Sequence, residues 1–392
     1  MNGRRVVVLD HTGQLGGAEI ALQRLLLALD GWDVQVVLFS DGPFRKALDQ
    51  HGISVEVLPL PDRTSSQSRM KLTDPQVLLR SAGDSLTFAR RLADRLKELG
   101  VDLVVANSLK AAVLAELSSW HSGLPWVWHL HDRLASDYLP GPVVFALRRL
   151  ARRAAHIVAN SQDVAQLTRL PPSRVTIAYP GLPDDAFAPG HQAPSPPVFG
   201  LLGRVSSTKG QREFIEAAAI VSRDHPDVRF RIVGEALFSD QAYATEVEKL
   251  TDERGLAGRV EWTGWARDPR SAIDAFTALV HASPVAEPFG QVIVEAMARE
   301  VPVIATIGGG VGDIVNAAPK SQLPRGAVLS TDRGRAVSAG DIVGLARAMQ
   351  LVLATPSRTQ RIAHHAYLEA RSHFTITRTA AACSAAWSSA LS

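Results

Sequence analysis

The chain is 392 residues long, 46% hydrophobic, 21% charged and 6% aromatic. At about 100–200 residues per domain, this length predicts two or three domains, each able to bury its own core. With 42 Lys+Arg against 39 Asp+Glu, the net charge of +3 is too small to argue for nucleic acid, and 29 Gly with 23 Pro excludes collagen-like or low-complexity chains.

The first apolar run, Val6 to Leu9, is too short for a signal-peptide core and predicts a buried strand. From there, short Val/Ile/Leu-rich runs alternate with segments of helical period, the pattern of parallel strands covered on both faces. In the first half, strands are predicted at 4–10, 33–39, 53–59, 101–106, 126–130, 156–160 and 174–179. Helices are predicted at 18–29, 77–99, 109–118, 143–154 and 162–168, with Ser108 and Ser161 at N-cap positions. The polar stretch 60–74 reads as an exposed loop.

A proline-rich segment, 182–197, reads as a linker. After it the alternation restarts, with strands at 198–203, 228–233, 259–264, 277–282, 302–306 and near 327–329. The matching helices are 211–222, 241–254, 291–299, 341–354 and 357–373. The expected architecture is α/β, two Rossmann-like doubly wound domains facing a deep cleft. The first domain is placed at 1–182, the hinge at 183–197 and the second domain at 198–374, with a C-terminal helix at 375–391 free to pack back onto either domain, the first put forward. No stretch approaches the length of a membrane span. The single Cys383 leaves no intramolecular disulfide, so a cytoplasmic setting is expected.

Four groups of residues suit chemistry. Gly203-Arg204 and Lys209-Gly210 follow the first strand of the second domain, where two cations beside a helix start would hold a diphosphate. The plain alternative is a solvated charge pair. Glu287 and Glu295 bracket a helix start at Phe289-Gly290, where free amides and a carboxylate suit phosphate or sugar oxygens. They equally suit the helix dipole alone. Gly16 and Gly17 open the first helix and leave room for backbone contact with a ligand. His129 and His131 share one face of a strand, and His131, nearer its C-terminal end, has the better claim to function. The basic amphipathic stretch 145–155 suits weak peripheral membrane contact, or else packs its leucines on the sheet and solvates its arginines. No Asp-x-Asp pair and no cluster with metal-ligand spacing occurs, so no metal and no other cofactor is expected.

Taken in order, these motifs resemble the retaining GT-B glycosyltransferases, specifically glycosyltransferase family 4. The resemblance is carried by Gly16-Gly17-Ala-Glu19, His131-Asp132, Arg204 with Lys209, and Ile232-Val-Gly234. It continues in the run from Glu287 to Glu295 and in the strand ending at Thr306. It implies a sugar moved with retention, without an essential metal, from a nucleoside-diphosphate sugar, with a UDP-sugar put first. The acceptor would be a sugar, an aglycone or a lipid-linked glycan. Arg204 and Lys209 would neutralise the leaving diphosphate, with Gly234 on a nucleotide-side strand. Glu295 would hold the ribose, and Glu287 with the Phe289 and Gly290 amides the donor sugar. Gly16 and Gly17 would let the first domain close on the phosphates, with His131 near the anomeric centre. The alternatives are a sugar-nucleotide epimerase on a similar scaffold and a non-catalytic nucleotide-sugar-binding partner subunit.

Overall fold

A computed structural model describes residues 4–60, 75–237, 240–266, 268–317 and 323–392. Residues 61–74, most of the stretch read as an exposed loop, lie outside the described residues. The chain divides into two compact units, 1–181 with 376–392 and 182–375.

Among the described residues, the first unit is built on β1 (Arg4–Asp10), β2 (Trp32–Leu38), β3 (Ser54–Val57), β4 (Leu103–Ala106), β5 (Trp126–Leu130), β6 (His156–Ala159) and β7 (Val175–Ile177). The order is β3-β2-β1-β4-β5-β6-β7, and every pairing is parallel. Helices α1 (Gly17–Ala28), α2 (Pro43–Gln50), α3 (Pro75–Glu98), α4 (Leu109–Ser122), α5 (Gly141–Ala151) and α6 (Gln162–Leu167) join the strands. Side chains alternate across a strand, so the apolar run Val6–Leu9 of β1 feeds two cores. Val7 and Leu9 pack with Phe88, Trp128 and Leu147, while Val6 and Val8 pack with Leu22, Phe44 and Trp387. Ser108 and Ser161 cap α4 and α6, accepting from the Ala111 and Val164 amides at 3.3 and 3.2 Å.

The second unit carries β8 (Val198–Leu202), β9 (Arg229–Val233), β10 (Val260–Trp262), β11 (Ala278–His281), β12 (Val303–Ile307), β13 (Leu329–Ser330) and β14 (Arg335–Ser338). Their order is β10-β9-β8-β11-β12-β14-β13, parallel except for the last pair. Its helices are α7 (Gln211–Asp224), α8 (Gln241–Glu253), α9 (Pro269–Asp274), α10 (Gln291–Ala298), α11 (Val311–Val315), α12 (Ile342–Ala354) and α13 (Pro356–His373). The proline-rich segment after residue 181 is fastened to this unit. Leu182 bridges Thr375, Asp185 pairs with Arg270 at 2.9 Å, and the Gly190 amide donates to Glu300 at 2.6 Å.

The last helix, α14 (Ile376–Ala390), belongs to the first unit. Its Trp387 is fully buried and meets Trp32 edge-on at 5.4 Å, and its Nε1–H donates to His129 Nε2 at 3.0 Å. Among the described residues no helix is long and apolar enough to cross a membrane.

Candidate functional site

In open α/β sheets, ligands collect beyond the strand C-termini where the strand order reverses. In the second unit that point lies between β8 and β11. The segment after β8 carries Gly203, Arg204 and Lys209, and the one after β11 carries Glu287, Phe289 and Gly290. These segments are tied together. The Ser283 hydroxyl contacts the Thr208 carbonyl at 2.7 Å, and Gly210 packs so tightly on β11 that a Cβ there would sit 2.0 Å from the Ala282 oxygen. Gly234 similarly abuts Gly203, whose carbonyl oxygen would be 2.0 Å from an added Cβ.

The result is an ion pair that crosses 78 residues of sequence, with Lys209 Nζ 2.8 Å from Glu287 Oε1. Glu287 is buried, which alone would raise its pKa. The Lys209 ammonium and His281 outweigh that and hold it well below the usual carboxylate range. His281, which sequence reasoning passed over as a strand residue, has Nε2 3.5 Å from Glu287 Oε1. Thr306 gives its hydroxyl hydrogen to the Ser283 carbonyl at 2.8 Å, so His281 Nδ1 is the donor in their 3.2 Å contact. Nε2 faces the carboxylate at 3.5 Å without a hydrogen bond. Its sequence signal was faint, a histidine closing the apolar run Leu279-Val280-His281.

Arg204 is half-exposed beside the same segment, its Nε 3.7 Å from Asp240. Helices α7 and α10 each begin at a left-handed glycine, Gly210 (φ 81) and Gly290 (φ 109), and neither start is capped by a side chain. Two positive helix ends and two cations therefore belong to one strand-end cluster, which suits an anion. Glu295 is half-buried in the second turn of α10. Phe289 is buried edge-on to Phe374 at 5.9 Å, so its ring serves packing. Among the described residues no three His, Cys, Asp or Glu side chains converge as metal ligands.

The first unit reverses order between β1 and β4, and a polar chain gathers there. Asn107 Nδ2 donates to the buried Asp10 at 2.7 Å, leaving Asn107 Oδ1 to accept from His131 Nε2 at 2.9 Å. Burial holds the His131 pKa below its ordinary value, against the pull of Asp132 and Asp10. The neutral ring thus carries its proton on Nε2 and offers Nδ1 as an acceptor. A small cavity of about 30 Å³ adjoins His131, His129 and Asn160. His129 is buried, accepts from Trp387 and has a pKa pushed down to about 3 by that burial.

Gly16 and Gly17 stand at the start of α1, where a Cβ on Gly16 would lie 2.6 Å from the far end of the Glu19 side chain. Burial, and then the charge of Asp10, raise the Glu19 pKa from 4.5 to about 7. The folded state therefore holds a proton that the unfolded chain releases, and stability falls as pH rises from 4.5 through about 7. Glu19→Gln should remove that slope. In urea melts it should be more stable than the parent at pH 8 by about 2–3 kcal/mol, and near parity at pH 4. An equal difference at both pH values would refute the buried, protonated carboxyl.

Comparison with known proteins agrees with this layout. Residues 184–368 match the family described as glycosyl transferases group 1, and residues 16–181 match the glycosyl transferase 4-like domain. The chain is 30% identical over 171 residues to the lipopolysaccharide core biosynthesis glycosyltransferase LpsE of Rhizobium meliloti. It is 33% identical over 196 residues to a D-inositol 3-phosphate glycosyltransferase of Segniliparus rotundus. These matches cover 44% and 45% of this chain, and only 44% and 43% of the relatives' own lengths. The crystal structure of Anabaena HepE in complex with UDP and glucose superposes with a TM-score of 0.80 at 27% identity, covering 98% of this chain and 100% of that one.

Proposed function

We propose that this chain, a GT-B glycosyltransferase by fold and by domain content, moves a hexosyl group from a UDP-sugar to an acceptor hydroxyl with retention and without a metal. The observation that carries the reading is the Lys209–Glu287 pair with Arg204 at the C-terminal ends of β8 and β11. In it, the anomeric carbon–oxygen bond to the diphosphate breaks and a new one forms to the acceptor oxygen. The acceptor proton passes to the departing phosphate oxygen on the same face, so no enzyme nucleophile is required.

The residues divide the work. Arg204 and Lys209 take up charge that grows on the leaving diphosphate, an interaction stronger in the transition state than in the ground state. Glu287, kept ionised by Lys209, accepts from hydroxyls of the donor sugar, with the amides at Phe289 and Gly290 beside it. Glu295 takes the ribose, and Gly234 keeps the β9 end low enough for the nucleotide. Gly16 and Gly17 serve the phosphates from the first unit, and His131 Nδ1 accepts from a sugar hydroxyl near the anomeric centre. The complexes of HepE with UDP and with UDP-glucose support the choice of base and sugar. The acceptor, a sugar, aglycone or lipid-linked glycan, is assigned to the first unit, and the reaction to the cytoplasmic side.

The test is a thermal-shift panel of nucleoside diphosphates with EDTA present, followed by product analysis with UDP-glucose. UDP at about 100 times its Kd should stabilise by about 2.7 kcal/mol and raise the melting temperature by degrees. The transferred glucose should keep its α configuration in the product's NMR spectrum. A shift that vanishes with EDTA, or a β product, would overturn the corresponding part of the reading.

A further inference from the structure

The first unit contains a second charged concavity, away from the β1/β4 reversal. It is a pocket of about 450 Å³ between α5, the end of α6 and the segment after β5. Its lining brings together four arginines, Arg148, Arg149, Arg152 and Arg169, with Val144 and Phe145 as apolar wall, and no carboxylate lines it among the described residues.

Nearby arginines in this unit find carboxylates, Arg133 at Asp163 (2.7 Å) and Arg153 at Glu116 (2.8 Å). By contrast, Arg149, Arg152 and Arg169 enter no ion pair among the described residues, and Arg149 lies 5.4 Å above the exposed Phe145 ring. Arg148 builds the floor. Its Nε donates to the Leu167 carbonyl at 2.9 Å and a terminal nitrogen to the Leu134 carbonyl at 2.6 Å. Burial and the charge of Arg169 both lower its pKa, so the cations already repel one another.

Arg169 adds a second signal. It follows the end of α6 with φ 58, a left-handed position where glycine or asparagine ends a helix with less strain. An arginine there sends a fourth guanidinium into the pocket. Four like charges converging on one concavity disfavour folding unless an anion sits among them, and planar guanidinium forks match phosphoryl oxygens.

We infer that the α5–α6 pocket binds a phosphoryl group, carried either by a soluble phosphorylated ligand or by an anionic lipid headgroup. The site uses none of the residues assigned to sugar transfer. Phe145, apolar and exposed at the rim, suits either a ligand's hydrocarbon part or the edge of a bilayer.

Inorganic pyrophosphate titrated calorimetrically into the full chain should show a component that weakens at least about tenfold in Arg152→Gln/Arg169→Gln. The same component should persist in Lys209→Gln, so failure of the donor site and failure of this pocket read out separately. Both substituted arginines are exposed and their removal relieves like-charge repulsion, so the variant should melt at or above the parent's temperature. If it does not, Arg169→Gly, which eases the backbone, replaces it with the same expected weakening.

Flotation with phosphatidylcholine vesicles containing about 30 mol% phosphatidylglycerol separates the two sources. Vesicle binding lost in the double variant identifies a lipid headgroup, and pyrophosphate binding without vesicle binding identifies a soluble phosphorylated ligand. Binding of neither probe, or binding that survives Arg152→Gln/Arg169→Gln, overturns the inference.

Discussion

Lys209→Ala should lower kcat/KM with a UDP-sugar by about 10²–10³-fold, the loss expected when one preorganised donor to a developing anion is removed. It should also destabilise the second unit, by about 1–3 kcal/mol once the partial exposure of the lysine is discounted, because Glu287 stays buried without its ammonium. The two effects separate in a double variant. Adding Glu287→Gln to Lys209→Ala replaces the stranded carboxylate with a neutral amide, so stability should recover while turnover does not. Recovery of both would mean that the pair is a structural strut.

The same pair sets an acid limit. The folded Glu287 pKa lies below its ordinary 4.5, so its contribution is present above that value and lost as pH falls through the folded one. Glu287→Gln should therefore flatten the acid side of the stability profile.

Gly210→Ala is expected to cost the second unit about 3 kcal/mol or more. Two penalties add. The residue sits at φ 81, where a β-carbon is strained, and that β-carbon would stand 2.0 Å from the Ala282 carbonyl oxygen. Gly258→Ala isolates the first penalty, since its φ is 70 and nothing lies within 4 Å of the added atom. That control should lose only about 1–2 kcal/mol. In urea titrations both should shift the midpoint at constant slope, Gly210→Ala by more. Equal shifts would mean that the segment carrying Lys209 is not wedged against β11.

Much of the fold was legible because the strands are apolar on both faces. The runs at 4–10 and 126–130 coincide with β1 and β5, and Ser108 and Ser161 cap the helices they precede. Short or edge elements were not legible. Helix α2 starts at Gly42-Pro43, a pair that reads as a turn, and α9 and α11 span too few residues to show a helical period. Strand β14, with an arginine at its start, was missed, and β13 turned out antiparallel to it. At the candidate site, Lys209 and Glu287 stood out by type and position, but their contact did not. The Asp10–Asn107–His131 chain was invisible because it is assembled from three strand ends, 97 and 24 residues apart.

The return of α14 to the first unit has a consequence for the order in which a ribosome delivers this protein. Val6 and Val8 emerge early, yet the layer that covers them includes Cys383 and Trp387, which are made only after the whole of the second unit. Unit 182–375 is contiguous and complete in sequence before that layer can close. Until then the nascent first unit shows an open apolar sheet face, and its maturation waits for α14 to emerge.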